Sequence, residues 1–345
     1  MKATRFHEYG GPDKLRYEEV PDPVPSSGEV LVRVRACAVN HIDLDICAGT
    51  SRIPFSLPHT LGIEVAGEIA AVDSPAAQWK VGDRVTVNFV LYCGTCSACR
   101  AGNDNICETR QMMGVSVAGG YAEYVLAPAR CLLPLPSNLS YEEAAATQVA
   151  FGTAWHMLIA LGKLLPGETV LVNSAGSGGG SAAVQIAKLV GARVLATVGS
   201  DEKRAAVSEL GADVVWNHQA QDVVAEVEKE TAGRGVGLVF EHVGGEALRR
   251  SLQCVGVCGR IVTCGAHAGE VVPLDVIELF RKQVAVIGCY TATSREIETV
   301  LGLVAAGKLK PVVDKVLPLA EAAKAHELMA ARKQVGKIVL VPNNQ

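Results

Sequence analysis

The rhythm of hydrophobic and polar positions changes once along this chain. Over residues 1–130 apolar and polar residues alternate in short runs broken by Pro, Gly and Asp. In Glu29–Ala38 the residues Val30, Val32 and Val34 alternate against Leu31, Arg33 and Arg35, the period of a half-buried strand. Gly62–Ala71 and Arg84–Val90 predict two further strands. From about residue 165 apolar runs alternate with helical periods. Glu168–Asn173 predicts a strand, Gly179–Val190 a helix closed by Gly191, and Arg193–Val198 a strand. Asp201–Leu210 predicts a helix closed by Gly211. Val214–Trp216, Leu238–Phe240 and Arg260–Thr263 predict short strands with helices between them. Such alternation implies a parallel sheet covered on both faces, an α/β fold. Beyond it, Val284–Cys289 reads as a strand, Glu296–Ala306 and Leu319–Ala331 as helices, and Lys337–Val341 as a strand. This tail is expected to leave the parallel sheet and return to the first domain. No internal repeat or low-complexity segment interrupts the pattern.

Composition narrows the classes. The chain has 345 residues, 49% of them hydrophobic and 20% charged, an ordinary globular balance that excludes disorder and collagen-like structure. That length suggests two domains. The net charge of −4 supplies no basic field for nucleic acid. No apolar run suits a membrane helix, and Met1–Glu8 carries no signal-like apolar stretch, so a cytoplasmic protein is expected.

After the strand ending at Asn173 comes Ala175-Gly176-Ser177-Gly178-Gly179-Gly180-Ser181, then a helix. Glycines let backbone approach a pyrophosphate, and a helix N-terminus offers it unpaired N–H groups. The run departs from G-x-G-x-x-G at Ala175 and Ser177, but strand, glycine turn, helix and second strand together point to a dinucleotide. The next strand ends Val198-Gly199-Ser200 without the carboxylate that would hold an NAD ribose. Ser200 and Lys203, with Arg204 beside it, can instead meet a 2′-phosphate, which favours NADP(H) over NAD(H). Lys203 and Arg204 as a plain solvated helix face is the blander reading.

Eleven cysteines are an odd number, and four of them crowd together as Cys93, Cys96, Cys99 and Cys107, a C-x2-C-x2-C-x7-C pattern. Four thiolates complete a tetrahedral Zn²⁺ and leave no open position for substrate, so the site is expected to be structural. An iron–sulfur cluster is the alternative, and the spacing favours zinc. The scattered cysteines read mostly as small core residues.

The chain resembles the medium-chain dehydrogenase/reductase superfamily over essentially its whole length. The resemblance rests on Gly28-Glu29-Val30-Leu31-Val32-Arg33-Val34, Leu61-Gly62-Ile63-Glu64-Val65-Ala66-Gly67, Val81-Gly82-Asp83-Arg84-Val85, the cysteine lobe, the glycine loop and Gly336-Lys337-Ile338-Val339-Leu340. It implies a GroES-like β-rich catalytic domain (1–134), a Rossmann doubly wound parallel sheet domain (135–292) and a return to the catalytic domain (293–345). Zinc alcohol dehydrogenases of this superfamily hold a second, catalytic zinc. At its three ligand positions this chain carries Asn40, Ile63 and Val149. The Val39-Asn40-x-x-Asp43 pattern looks instead like the quinone oxidoreductase and enoyl reductase branches, which use NADPH without catalytic zinc, although many of them lack the cysteine lobe. A metal site rebuilt from Cys37, His41, His59 and Glu64 is the minor alternative.

Without a Lewis acid, alcohol oxidation is hard, because the alcohol keeps its high pKa. Hydride addition to a conjugated alkene is easier, since hydrogen-bond donors can stabilise the charge on the carbonyl oxygen. Asn40, His41 and Asp43 are the candidate catalytic residues, and Tyr92 is a further candidate proton donor. Asn40 could equally hold the cofactor, and Asp43 could simply cap a helix. The resemblance places Thr153, Gly178, Gly179, Gly180, His218, Val243, Gly244, Gly265 and Cys289 along the cofactor. The expected function is NADPH-dependent reduction of a quinone, enone or enoyl thioester. The alternatives are a zinc-type alcohol dehydrogenase and a cofactor-binding protein without turnover, as lens crystallins of this superfamily are. The apolar run Gln283–Cys289, expected at a sheet edge, predicts a homodimer or homotetramer.

Overall fold

The computed structural model describes residues 1–73 and 78–343. They form two compact units. The first comprises Met1–Gln148, Thr293–Ala306 and Pro311–Gln345, and the second Val149–Ala292 with Gly307–Lys310. Residues 135–148 thus fold with the first unit, where the Tyr141 hydroxyl bonds Glu68 and the Arg84 guanidinium bonds the Ser137 carbonyl.

The first unit is built on a seven-stranded sheet. Its path runs Leu132–Pro134, Arg84–Val87, Glu64–Val72, Glu29–Ala38, Lys337–Val341 and Val313–Pro318, and Tyr124–Pro128 also pairs with Glu29–Ala38. Val30, Val32 and Val34 are fully buried, as their alternation requires. The C-terminal strand lies antiparallel to Glu29–Ala38, with Val339 opposite Ala38, which brings Lys337 to the strand's end. A smaller sheet joins Arg16–Glu19, Lys2–Phe6 and His59–Thr60.

The second unit holds six parallel strands in the order Val214–Asn217, Arg193–Val198, Thr169–Val172, Val236–Glu241, Val255–Thr263 and Ala285–Gly288. The chain reverses beside Thr169–Val172, and the rule for open α/β sheets puts ligands at the carboxyl ends near such a switch. Leu171, Leu195, Trp216, Val239 and Ile261 form part of one buried cluster of this sheet. No helix among the described residues is long and apolar enough to cross a membrane.

Several element limits differ from the sequence expectation for identifiable reasons. The strand expected from Gly62 starts at Glu64, because Gly62 sits at φ +100°, outside the extended region. The strand expected to run to Val90 stops at Val87, where the Asn88 side chain takes the Val90 N–H. The helix expected from Asp201 opens with a tight 3₁₀ turn and becomes α-helical over Arg204–Glu209. Of the scattered cysteines, Cys258 and Cys264 are exposed rather than core residues.

Candidate functional site

In the second unit the cofactor candidates gather at the carboxyl ends of the parallel strands. Ser200, His218, Val243, Gly265 and Cys289 each lie one to two residues past a strand end. The helix Gly178–Val190 starts from Ser177, whose hydroxyl accepts from the Gly180 N–H at 3.0 Å. The Gly178 and Gly179 N–H groups have no carbonyl a turn earlier to bond within the helix. Gly180 is required by packing, since a Cβ there would stand 2.4 Å from the Ser174 carbonyl oxygen. The Lys203 stem lies across the loop, its Cδ 3.1 Å from where a Cβ on Gly176 would be. Ser200 precedes the tight turn that carries Lys203. Thr153 is half-buried on the helix Gln148–Trp155, and the Cys289 thiol points to the Thr291 carbonyl.

A cavity of about 40 Å³ opens among these strand ends, lined by residues including Asn173, Ser174, Thr197, His218, Val243 and Arg250. Arg250 was not foreseen, because nothing in the helix Gly245–Cys254 marks which of its arginines turns inward. His242 was also missed. Its Nε2 lies 2.9 Å from the Asn173 carbonyl oxygen and must donate to it, and burial lowers its pKa. This arrangement of glycine loop, free helix N–H groups and strand-end cavity fits a dinucleotide.

In the first unit the four clustered cysteines bring their sulfurs within 4.8 Å of one another. The Cys93–Cys99 and Cys96–Cys107 sulfur separations are 4.0 and 3.9 Å. Zn–S bonds near 2.3 Å place tetrahedral sulfurs about 3.8 Å apart, so the set fits zinc. The Thr95 and Cys96 N–H groups donate to Cys93 Sγ, and the Cys93 N–H to Cys107 Sγ, which favours thiolates. Tyr92 is not positioned as an acid, because its hydroxyl donates to the Arg130 carbonyl.

Asn40 ends the approach to the helix His41–Ala48, and its surroundings correct its expected role as a donor. Its amide Nδ2 donates to the Ala38 carbonyl and to Glu64 Oε2, both at 3.1 Å. Its Oδ1 accepts from Lys337 Nζ at 2.6 Å. Both side-chain N–H groups are therefore spent inside the unit. Lys337 also lies 2.8 Å from Glu64, and the two side chains are 7% and 0% exposed. The sequence offered no sign of this triad, since Lys337 and Asn40 are 297 positions apart. Ile63 is buried in the same stretch as Glu64. Cys37, His41, His59 and Glu64 do not bring three donor atoms within 4.8 Å of one another.

Asp43 is fully buried. It accepts from the Asn40 N–H at 2.8 Å, the Gly62 N–H at 3.2 Å and the Tyr121 hydroxyl at 3.1 Å. That is the capping and loop-ordering role left open by its position in the sequence. Burial raises its pKa to about 6 against the pull of these donors. His41 is half-buried, with Nε2 4.0 Å from Asp45.

Comparison with known proteins agrees with this construction. Residues 26–137 match the alcohol dehydrogenase GroES-like domain, and residues 178–306 the zinc-binding dehydrogenase family. The chain is 32% identical to quinone oxidoreductase of Rattus norvegicus, across 99% of this chain and 98% of that one. It is 35% identical to alcohol dehydrogenase of Geobacillus stearothermophilus, across 99% of both. A solved structure described as an NAD-dependent alcohol dehydrogenase superposes with a TM-score of 0.93 at 40% identity, covering 99% of each chain. The chain belongs to the medium-chain dehydrogenase/reductase superfamily, with a GroES-like domain and a Rossmann-type domain. It is an oxidoreductase of that superfamily.

Proposed function

We propose that this enzyme is an NADP(H)-dependent reductase of quinones or α,β-unsaturated carbonyls, enoyl thioesters included, whose zinc is purely structural. The observation that carries the reading is the donor set at Asn40. Its amide is tied to Lys337 and Glu64, its neighbour at the second ligand position is the apolar Ile63, and the third position is Val149. Neither Ile nor Val offers a metal ligand.

When bound, a reduced nicotinamide cofactor would supply the hydride needed at the β-carbon of a conjugated substrate. The residues Gly178 and Gly179 would meet the pyrophosphate with their N–H groups. Ser200 and Lys203 would meet the 2′-phosphate, and the strand-end cavity at His218 and Arg250 would take the adenosine end. Asn40 acts by position, holding Lys337 and Glu64. His41 is the proposed proton carrier to the α-carbon, since it is half-buried and has a carboxylate neighbour in Asp45. Cys93, Cys96, Cys99 and Cys107 would hold zinc and pin their loop.

The test compares a quinone and an enone with NADPH against ethanol and a secondary alcohol with NADP⁺, after loosely bound metal is removed. Faster turnover of the conjugated substrates is expected. Efficient alcohol oxidation with inert quinones and enones overturns the reading. The second reading, an alcohol dehydrogenase, is favoured by the 40% identity to a structure of that description. It requires two metal ions per chain and activity on alcohols.

A further inference from the structure

The first unit contains a buried chain of polar groups that the proposed reaction does not use directly. It runs from Asp43 to the Tyr121 hydroxyl, 3.1 Å away, and on to His326 Nε2, another 3.1 Å. Tyr121 and His326 are 0% and 1% exposed, and their rings meet edge to face with centroids 5.8 Å apart. The three residues come from three separate elements: the helix His41–Ala48, the segment following Gly119-Gly120, and the helix Ala322–Ala330.

Counting protons fixes the direction of the bonds. The Tyr121 hydroxyl has one proton, and its bond to a carboxylate is the stronger use of it. The phenol oxygen must then accept, so His326 presents Nε2–H and keeps Nδ1 bare. Asp43 Oδ1 takes the Gly62 N–H, and Oδ2 takes the Asn40 N–H and the Tyr121 proton. The carboxylate thus ties the turn carrying Asn40 to the loop carrying Ile63 and Glu64.

We propose that Tyr121 and His326 are positioning residues for the reaction, holding the Asp43 carboxylate in place and through it the backbone at Asn40 and Gly62. The proposal rests on the reading that the Asn40 turn is the reacting end of the first unit. The titratable groups facing Asp43 from the surrounding elements are Cys37, Cys47, Tyr121 and Lys337, with Glu64 facing Cys37 in turn. Of these, Lys337 and the Tyr121 hydroxyl favour the anion. Deleting the hydroxyl therefore lets burial push the Asp43 pKa higher, and the turn loses its anchor at a higher pH. His326 acts only through Tyr121, by orienting that hydroxyl.

Two readouts test this on the whole zinc-loaded enzyme: the pH profile of kcat/KM, and the titration of the Asp43 carboxyl carbon by NMR, assigned with Asp43→Asn. The rate arm uses whichever of the quinone, enone or secondary alcohol the enzyme turns over, so an error in substrate class leaves the test intact. In Tyr121→Phe both the Asp43 titration and the acid limb of the rate should move up by about one pH unit, the scale of one lost hydrogen bond to a charge. His326→Leu should move both in the same direction. His326→Gln, which keeps an N–H toward the phenol, should leave both at the wild-type position. Tyr121→Phe/His326→Leu should move them no further than Tyr121→Phe alone. An unmoved Asp43 titration in folded Tyr121→Phe overturns the proposal. So does a moved titration with an unmoved rate limb, because the hydrogen-bond chain would then be structural only. Additive shifts in the double variant overturn the role given to His326.

Discussion

Replacing His326 should expose a pH dependence of stability that the wild-type chain conceals. Burial lifts Asp43 from its ordinary 3.8 to about 6, and pushes His326 from 6.5 down to about 4. Folded Asp43 holds its proton more tightly than the unfolded chain does. Its contribution is therefore greatest below pH 3.8 and is lost as pH rises toward 6. Folded His326 resists its proton, so its contribution is full above pH 6.5 and is lost as pH falls toward 4. Each shift exceeds two units, and at 1.36 kcal/mol per unit each amounts to about 3 kcal/mol. The two slopes oppose each other over the same window and nearly cancel. His326→Gln removes the term that rises with pH, so its stability relative to wild type should fall by about 3 kcal/mol from pH 4 to 6.5. Asp43→Asn removes the opposite term and should gain about as much relative to wild type over pH 4 to 6. Urea unfolding at stepped pH measures both, and subtracting the wild-type curve cancels the other titrating groups. Parallel curves for wild type and both variants would refute the reasoning, because neither buried group would then change its proton affinity on folding.

Elemental analysis of chelator-washed protein should return one zinc per chain, lost in Cys96→Ser; two zincs, or iron with sulfide, would contradict the structural assignment. Lys203→Ala should weaken NADPH binding by about 1.5–3 kcal/mol, more than it weakens NADH, as cofactor titration will show; equal losses would make Lys203 a surface residue. Lys337→Met should cost about 3–5 kcal/mol of stability by stranding buried Glu64, and adding Glu64→Leu should recover much of it. Additive losses in that cycle would mean the pair is not coupled. Among the described residues the outer strand Ala285–Gly288 pairs on one side only, and Val286 on it and Val276, Ile277 and Phe280 on the preceding helix Val276–Lys282 are exposed. Sedimentation should therefore give at least a dimer that Val286→Lys dissociates, and a monomer at micromolar concentration would rule this out.

The second unit was legible because its chemistry is written in local order. A strand, a glycine turn and a helix sit within one short stretch, and period and breakers mark each of them. The cysteine lobe was legible for the same reason, with its four cysteines held in one loop. The Asn40 surroundings were not. The helix His41–Ala48 is short and carries no clear apolar stripe, so its capping by Asp43 was only one of two readings. Lys337 reads only as the first residue of the C-terminal strand until antiparallel pairing with Glu29–Ala38 brings it to Asn40. Tyr121 and His326 look like ordinary core aromatics, and only tertiary packing reveals their bond. Charge pairs between residues hundreds of positions apart leave no periodic trace in a single sequence.

The charge carried by the Asn40 turn bears on which chemistry suits it. Glu64 and Lys337 form a close pair and largely cancel, while Asp43 adds a buried carboxylate held by two backbone N–H groups and a phenol. With Asp43 ionised, the group carries a net negative charge, and its one ammonium is already engaged with Glu64 and Asn40. A turn of this kind offers little to an alkoxide, which concentrates its charge on one oxygen and needs a Lewis acid or a free cation beside it. A conjugated acceptor asks for less, because its charge is spread between the carbonyl oxygen and the α-carbon after hydride arrives. Keeping three buried ionisable groups at one turn is costly in a fold that could fill the space with apolar side chains. The structural return is rigidity: Asn40, Gly62 and Glu64 are fixed relative to one another by bonds of 2.6 to 3.2 Å. In the proposed reaction such a turn would act by holding its backbone still rather than by supplying charge, so its effect should be read in the pH limb set by Asp43 and not in a donor lost from Asn40.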